Sequence, residues 1–234
     1  WFHCWQNIDV QYVEGRMEYH LSDPDFPGVQ VHLTAGALAN CIGAIVKVDI
    51  ANAPQGTSLV WGYGGASAFF TNYDMTNPNF RFSPEHCLKD EIAMEGASFR
   101  LIRAFDQNDS VMEQPFAVAR FLPEWKACVS GGSSWKEPVL IGDPAQFDVS
   151  PKALLDSVYS GISSKKSAVA VQNVPFHEKS TTVYMVVGMG GDIDSCLQKP
   201  KAAFESMLKR NREIASRVTV STPDPYLNAS ATMM

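Results

Sequence analysis

The feature that most constrains the fold is an alternation of apolar and polar residues, at a period of two, from residue 1 to about residue 190. Successive side chains of a β-strand point to opposite faces, so this period is typical of strands with one buried face. The alternating segments are short, rich in β-branched and aromatic residues, and bounded by Gly, Pro, Asn and Asp. Strands are predicted over 17–21, 29–33, 45–50, 59–63, 98–105, 116–121, 139–141, 168–172 and 181–188. Their succession, with only one short helix over 152–159, predicts a mainly β sandwich of antiparallel sheets.

Near residue 195 the period changes from that of a strand to that of a helix. Pro200 suits the first turn of a helix, and Asp194 or Ser195 could cap it from upstream. We therefore expect a helix over about 200–217, followed by an extended linker at 218–220. One face of this helix is apolar and is expected to pack against protein; it comprises Phe204, Met207, Leu208, Ile214, Ala215 and Val218.

The segment Thr222–Asn228 reads Thr-Pro-Asp-Pro-Tyr-Leu-Asn and predicts a stiff turn. Each proline fixes its own φ near −65° and biases the preceding residue toward extended geometry. The residues after this turn, up to Met234, are typical of the first turns of another helix. We therefore interpret the chain as the front part of a larger protein. Its expected parts are a β-sandwich domain over 1–194, a linker helix and strand over 195–220, and the start of a helical domain over 221–234.

The composition argues against several classes of partner and site. The 234 residues are 45% hydrophobic and 19% charged, which allows a sizeable core. A net charge of −6 without a basic stripe argues against nucleic acid, and no apolar run approaches the roughly 20 residues of a membrane span. Five dispersed cysteines are interpreted as small buried hydrophobes. A first residue that is not Met is compatible with a removed signal peptide.

The segment from about Thr182 to Asn228 resembles the domain junction of bacterial six-hairpin glycosidase-like proteins. In that family a β-super-sandwich of the galactose mutarotase-like kind ends in a linker helix. A Thr-Pro-Asp-Pro-Tyr-like turn then leads into an (α/α)6 barrel. The segment Trp61–Ser67, Trp-Gly-Tyr-Gly-Gly-Ala-Ser, is compatible with the same sandwich domain.

This resemblance implies a secreted, periplasmic or extracellular, carbohydrate-active protein whose catalytic acid and base lie in a barrel beyond Met234. The chain would then be a non-catalytic N-terminal domain that supports the barrel and contributes to its substrate cleft. The implied partners are that barrel and a poly- or oligosaccharide. Two alternatives stay open, a stand-alone carbohydrate-binding module and a structural domain without a ligand.

Paired carboxylates are the candidate catalytic groups, because glycoside hydrolysis needs two of them about 5–10 Å apart. Each pair in this chain is flanked by Gly, Pro or Ser and is interpreted as turn or cap chemistry. The pairs are Asp23 with Asp25, Asp90 with Glu91, and Asp192 with Asp194. No catalytic residue is predicted.

The five histidines show no metal-ligand spacing along the chain. His20 and His32 occupy polar positions of strand-like segments and are interpreted as exposed residues of a sheet face. No metal and no other cofactor is therefore expected. The glycine-rich segments Gly131–Trp135 and Gly188–Gly191 are interpreted as β-turns, since neither has the context of a nucleotide-binding loop.

The remaining site candidates are aromatic residues, which can stack on the C–H faces of sugars, and one carboxylate. Trp61 and Tyr63 lie two residues apart and point to the same side of a strand, and Trp135 follows a glycine-rich segment. Asp224 is expected to cap the following helix or to reach the mouth of the barrel. Tyr226 is expected at the seam between the domains. These five residues are the predicted substrate-binding set.

Overall fold

The computed structural model describes residues 1–64, 90–104, 126–143, 146, 149–159, 169–217 and 221–228. The strands within these ranges are β1 (Asn7–Val13), β2 (Arg16–Ser22), β3 (Gln30–Ala37), β4 (Ile42–Ala51), β5 (Ser58–Gly64), β6 (Asp90–Glu95), β7 (Ser98–Ala104), β8 (Lys126–Ser133), β9 (Leu140–Gly142), β10 (Val169–Pro175) and β11 (Ser180–Met189). The helices are a short 3-10 helix (Phe2–Cys4), α1 (Pro151–Tyr159), α2 (Ile193–Gln198) and α3 (Pro200–Ala215). The predicted mainly β, antiparallel fold with a C-terminal helix is confirmed.

The chain forms two compact units. The first comprises Trp1–Leu59, Ser130–Lys136 and Val174–Met234, and the second comprises Val60–Val129 and Glu137–Asn173. Within the ranges that the structure describes, no helix is both long and apolar enough to cross a bilayer.

The first unit is an antiparallel sheet in the order β1-β2-β3-β4-β11, to which the last residues of β8 add on the far side of β11. A tight turn with positive φ at Glu14 and Gly15 joins β1 to β2. Helices α2 and α3 cover part of one face of this sheet. Their shared core comprises Leu38, Ile45, Val186, Ile193, Cys196, Phe204 and Met207.

Helix α3 begins at Pro200 with Lys199 as its N-cap and ends at Ala215. The predicted caps Asp194 and Ser195 are wrong, because both lie inside the separate short helix α2. The predicted apolar face is confirmed over its first turns, where Phe204 is 6% exposed and Met207 is fully buried. It is wrong at Ile214, which is 40% exposed.

The second unit contains most of the three-stranded sheet β5-β10-β9, the hairpin β6–β7 and helix α1. Helix α1 was predicted and is confirmed; its fully buried Leu154 lies close to Gly142 of β9. Two buried side chains of the same unit, Trp61 and Gln172, are joined by a hydrogen bond. The indole N–H of Trp61 donates to Oε1 of Gln172 at 2.8 Å, and the Gln172 amide donates to the backbone carbonyl of Glu137.

Some predicted segments differ from the structure. Gly131 and Gly132 do not form a turn but lie buried in β8, where they pair with Val187 and Val186 of β11. Gly190 and Gly191 do form a turn, with positive φ at both. The predicted strand 116–121 and linker 218–220 lie outside the described residues.

Candidate functional site

A row of polar side chains runs across five neighbouring strands of the first unit. The cross-strand pairs Asp9–His20, His20–His32, His32–Asp49 and Asp49–Thr182 share one line through the sheet. Directly paired residues of antiparallel strands point to the same face, so these five side chains lie side by side. We refer to them as the polar row.

The polar row lies on the same face of the sheet as helix α3, but beyond the part that the helix covers. Met207 of α3 packs against Gly36 of β3, and His32 lies four residues farther along that strand, about 13 Å away at the rise of a strand. The uncovered part of this face forms an open cleft of about 320 Å³. Its lining includes Gln30, Ser180 and the central members of the polar row.

Charged side chains surround the two histidines and are paired with one another. Oδ1 of Asp49 accepts a hydrogen bond from the Thr182 hydroxyl at 2.6 Å. Oδ2 of Asp49 forms an ion pair with the Lys47 ammonium at 2.7 Å. Glu18 lies two residues before His20 on β2, and its Oε1 accepts a hydrogen bond from Nε of Arg16 at 2.7 Å. Both oxygens of Asp49 are thus engaged. Oε2 of Glu18 instead faces His32, 3.8 Å from its Nε2.

The rings of His20 and His32 stack, with centroids 4.3 Å apart and planes within 7° of parallel. Burial lowers the pKa of His32 below its ordinary value, and the neighbouring His20 lowers that pKa further. The charges of Glu18 and Asp49 oppose this shift but do not reverse it. The His32 ring therefore favours the neutral imidazole form, in which a ring nitrogen carries a free lone pair.

The structure places the predicted pair Trp61 and Tyr63 in the second unit, where both rings pack on Phe99 at centroid distances of 6.3 and 5.6 Å. They share one side of β5, as their spacing predicts. Trp61 is buried and Tyr63 is half-buried. Trp135 belongs to the first unit; it is half-buried just after β8, with its backbone N–H on the Ser133 hydroxyl at 3.1 Å. Sugar binding by these three residues stays a prediction.

The other predicted pair, Asp224 and Tyr226, lies in a turn closed by its own hydrogen bonds. Oδ1 of Asp224 accepts the backbone N–H of Tyr226 at 2.8 Å, the N-cap contact of a helical turn over 225–228 with Pro225 in its first position. The Asn228 side chain bonds both the N–H and the C=O of Thr222, at 2.7 and 2.9 Å. The predicted capping role of Asp224 is confirmed.

Replacing Asp224 by alanine is expected to weaken this turn by about 0.5–2 kcal/mol, because the cap's acceptor is lost. The amide of Tyr226 should then exchange with solvent about 2–30-fold faster, measured by hydrogen exchange with NMR detection. Asp224→Asn is the matched control, since asparagine caps about as well as aspartate. If the Tyr226 amide of Asp224→Ala exchanges at the parent's rate, the Asp224 carboxylate does not stabilise this turn.

The three acidic pairs predicted to be turn or cap residues differ from one another in the structure. The Asp23 carboxylate accepts the backbone N–H groups of Gln6 and Asp25, each at 2.9 Å, and so organises a turn as predicted. Asp192 is the N-cap residue of α2 but makes no side-chain cap bond. Asp90 and Glu91 begin strand β6 and do not form a turn.

The described cysteines do not form one class. Cys196 is buried in the core under α3, and burial together with the adjacent Cys41 raises its pKa to about 11. It therefore stays a thiol at neutral pH, unsuited to nucleophilic catalysis. Cys41 is half-buried, whereas Cys4 is exposed, so the interpretation of the cysteines as buried hydrophobes is wrong for Cys4.

Spacing along the chain did not predict that Glu18, His20 and His32 lie close together in the folded structure. One potential ligand atom from each lies within 4.8 Å of the others. The sequence carried part of the signal, since Glu18 and His20 stand two apart on one strand and His32 holds a polar position on the next. The missing information was the register between those strands.

Two comparisons with known proteins bear on this chain. A family model described as "Domain of unknown function (DUF4450)" matches residues 1–166. No curated protein matches the chain. The matched region contains β1 to β9 and α1, and with them Glu18, both stacked histidines and Asp49. The segment from Thr182 to Asn228, which carries the resemblance to glycosidase-like proteins, lies outside it. Because the match spans more than half of its residues, the chain belongs to the DUF4450 family.

Proposed function

We propose that this chain is a non-catalytic β domain of a secreted, carbohydrate-active protein of the glycoside hydrolase type. In this proposal it supports a helical barrel domain and borders the barrel's substrate cleft. The observation that carries the proposal is the turn Thr222–Asn228. Its polar groups bond to one another, yet it presents Tyr226 and Leu227 to solvent, 84% and 55% exposed.

Two adjacent exposed apolar side chains on a turn with fixed geometry are suited to packing against another domain. Burying a large apolar side chain gains about 1.5–3 kcal/mol. The two prolines and the Asp224 cap hold the turn in shape beforehand, so little ordering entropy opposes that burial. A helical domain that begins at this turn is the occupant that the resemblance implies.

Helix α3 supplies the rigid support that such an arrangement needs. Phe204 packs edge to face on Tyr184 of β11 at 5.7 Å, and Met207 packs on Gly36 of β3. The helix is therefore fixed to two different strands of the sheet. A helix held in this way would fix the orientation of a following domain relative to the sheet.

Three carboxylates among the described residues are compatible with a non-catalytic role. The oxygens of Asp23, Asp49 and Asp224 accept hydrogen bonds or an ion pair from their own neighbours. A glycosidase acid must instead be free to reach the glycosidic oxygen. The alternative of a stand-alone sugar-binding module has less support, because the ring of Trp61 lies in the interior of its unit.

The gene's reading frame beyond codon 234, together with activity assays, tests this proposal. We expect the frame to encode a helical domain with a pair of inward-facing carboxylates. The protein with both parts should release sugar from aryl glycosides or from a polysaccharide, whereas purified 1–234 should release none. Turnover by 1–234 alone, or a stop codon directly after Met234, would contradict the proposal.

A further inference from the structure

Two adjacent strands in the interior of an antiparallel sheet bring three metal-binding side chains together. Glu18 and His20 project from β2, and His32 projects from β3 directly opposite His20. Their potential ligand atoms lie within 4.8 Å of one another. Both strands have partners on both sides, so the backbone that carries the three side chains is held by hydrogen bonds.

One atom of this cluster lacks the partner that buried polar atoms normally have. Nε2 of His32 is shielded from solvent and has no hydrogen-bond partner within the described part of the chain. Oε2 of Glu18 stands 3.8 Å away, too far for a hydrogen bond. A buried polar atom without a partner costs free energy, which a bound ion on the deprotonated Nε2 would recover.

We propose that Glu18, His20 and His32 form a binding site for Zn²⁺, with a fourth coordination position open to the cleft beside the polar row. Two imidazoles and one carboxylate are a donor set typical of zinc sites that keep an exchangeable ligand. Imidazole donors favour Zn²⁺ over Ca²⁺ and Mg²⁺, which prefer oxygen ligands. This inference stands on the first unit alone and does not depend on the proposed function.

Binding requires a defined movement of the side chains. Zinc holds its ligand atoms at about 2.0–2.2 Å, so atoms of a tetrahedral site stand about 3.3 Å from one another. The distances between these ligand atoms, at present no more than 4.8 Å, must therefore shorten by at most about 1.5 Å. An imidazole lone pair lies in the plane of its ring, and the two rings are nearly parallel. At least one ring must turn out of the stack when the ion binds.

The contacts of the neighbouring side chains show which residues are available as ligands and which only orient them. Arg16 holds Oε1 of Glu18 at 2.7 Å and leaves Oε2 directed at His32, which orients this carboxylate as outer partners of metal ligands do. Asp49 lies next to His32 but is bound on both oxygens by Thr182 and Lys47. Asp49 therefore stays outside the set, and the fourth position is left to water or to a small ligand in the cleft.

Titration of the metal-free chain with ZnCl₂, followed by calorimetry, tests this site. We expect one zinc ion per chain, with affinity falling at least about 100-fold in His20→Asn and in Glu18→Gln, more than the loss of an outer partner causes. His20 is exposed, so its replacement leaves the core intact, as circular dichroism should confirm. His177→Asn is the matched control, because His177 is an exposed histidine in the turn before β11.

NMR of the imidazole nitrogens adds a readout specific to these ligands. Zinc should shift the ring resonances of both His20 and His32, and loss of the stack should move their ring protons. CoCl₂ should give the visible absorption of a tetrahedral site without a thiolate charge-transfer band, which excludes binding by cysteine. Zinc binding that survives His20→Asn, no saturable binding at all, or equal binding of Ca²⁺ would each overturn the proposal.

Discussion

Replacing Phe204 by alanine is expected to lower the free energy of unfolding by about 3–5 kcal/mol, the range for deleting a buried aromatic ring. The ring is 6% exposed and packs edge to face on Tyr184, and the Lys47 ammonium lies 5.9 Å from its centre. Alanine would leave a cavity between α3 and the sheet that Met207, already held against Gly36, cannot fill. Urea denaturation followed by circular dichroism measures the loss.

Ile214→Ala is the matched control, because Ile214 lies on the same helix and on the same predicted apolar face. At 40% exposure its truncation should change the free energy of unfolding by no more than about 0.5 kcal/mol. Equal losses for the two variants would mean that α3 packs over its whole length. A small loss for Phe204→Ala would mean that the helix is not anchored to the sheet.

The contrast between these two residues shows what helical periodicity could and could not predict. The spacing identified the helix and the stripe that includes Phe204 and Met207. It could not show where the sheet under that stripe ends. The amide of Asn211 lies where a Cβ on Gly15, in the β1–β2 turn, would point. Ile214 lies about one helical turn beyond Asn211 and so extends past this edge.

Strands were predictable where β-branched residues alternate with polar ones, and less so elsewhere. Strand β8 ends in Ser130-Gly131-Gly132-Ser133, which local preferences assign to a turn because glycine weakens strands. In the structure these residues pair with β11, where the lack of a side chain is compatible with burial. Tertiary pairing therefore overrides local preference here.

The meeting of His20 and His32 depends on a register that the sequence does not display. Seven residues separate β2 from β3, too many for the rules of two-residue hairpins to apply. The loop is organised by Asp23, whose carbonyl accepts the N–H of Phe26, while the N–H of Val29 bonds to the carbonyl of Phe26. These two successive turns set the pairing of Leu21 with Val31, and hence that of the histidines.

Replacing Gly43 by alanine is expected to lower the free energy of unfolding by about 3 kcal/mol, the upper range for overpacking and close to the loss expected for Phe204→Ala. Gly43 of β4 pairs with Gly188 of β11. A Cβ on Gly43 would stand 2.3 Å from the carbonyl oxygen of Val187 and 2.5 Å from Cα of Gly188. Both are backbone atoms, so the strain cannot be relieved by turning a side chain.

The neighbouring Ala44 provides the matched control for this prediction, since it is exposed on the same strand. Ala44→Ser should change the free energy of unfolding by no more than about 0.5 kcal/mol in the same urea denaturation experiment. The added methyl in Gly43→Ala would also stand 3.1 Å from Leu38, a member of the core that holds Phe204 and Met207. Separating β4 from β11 would therefore loosen α3 as well. If Gly43→Ala retains the parent's stability, the close approach of these two strands is not a requirement of the fold.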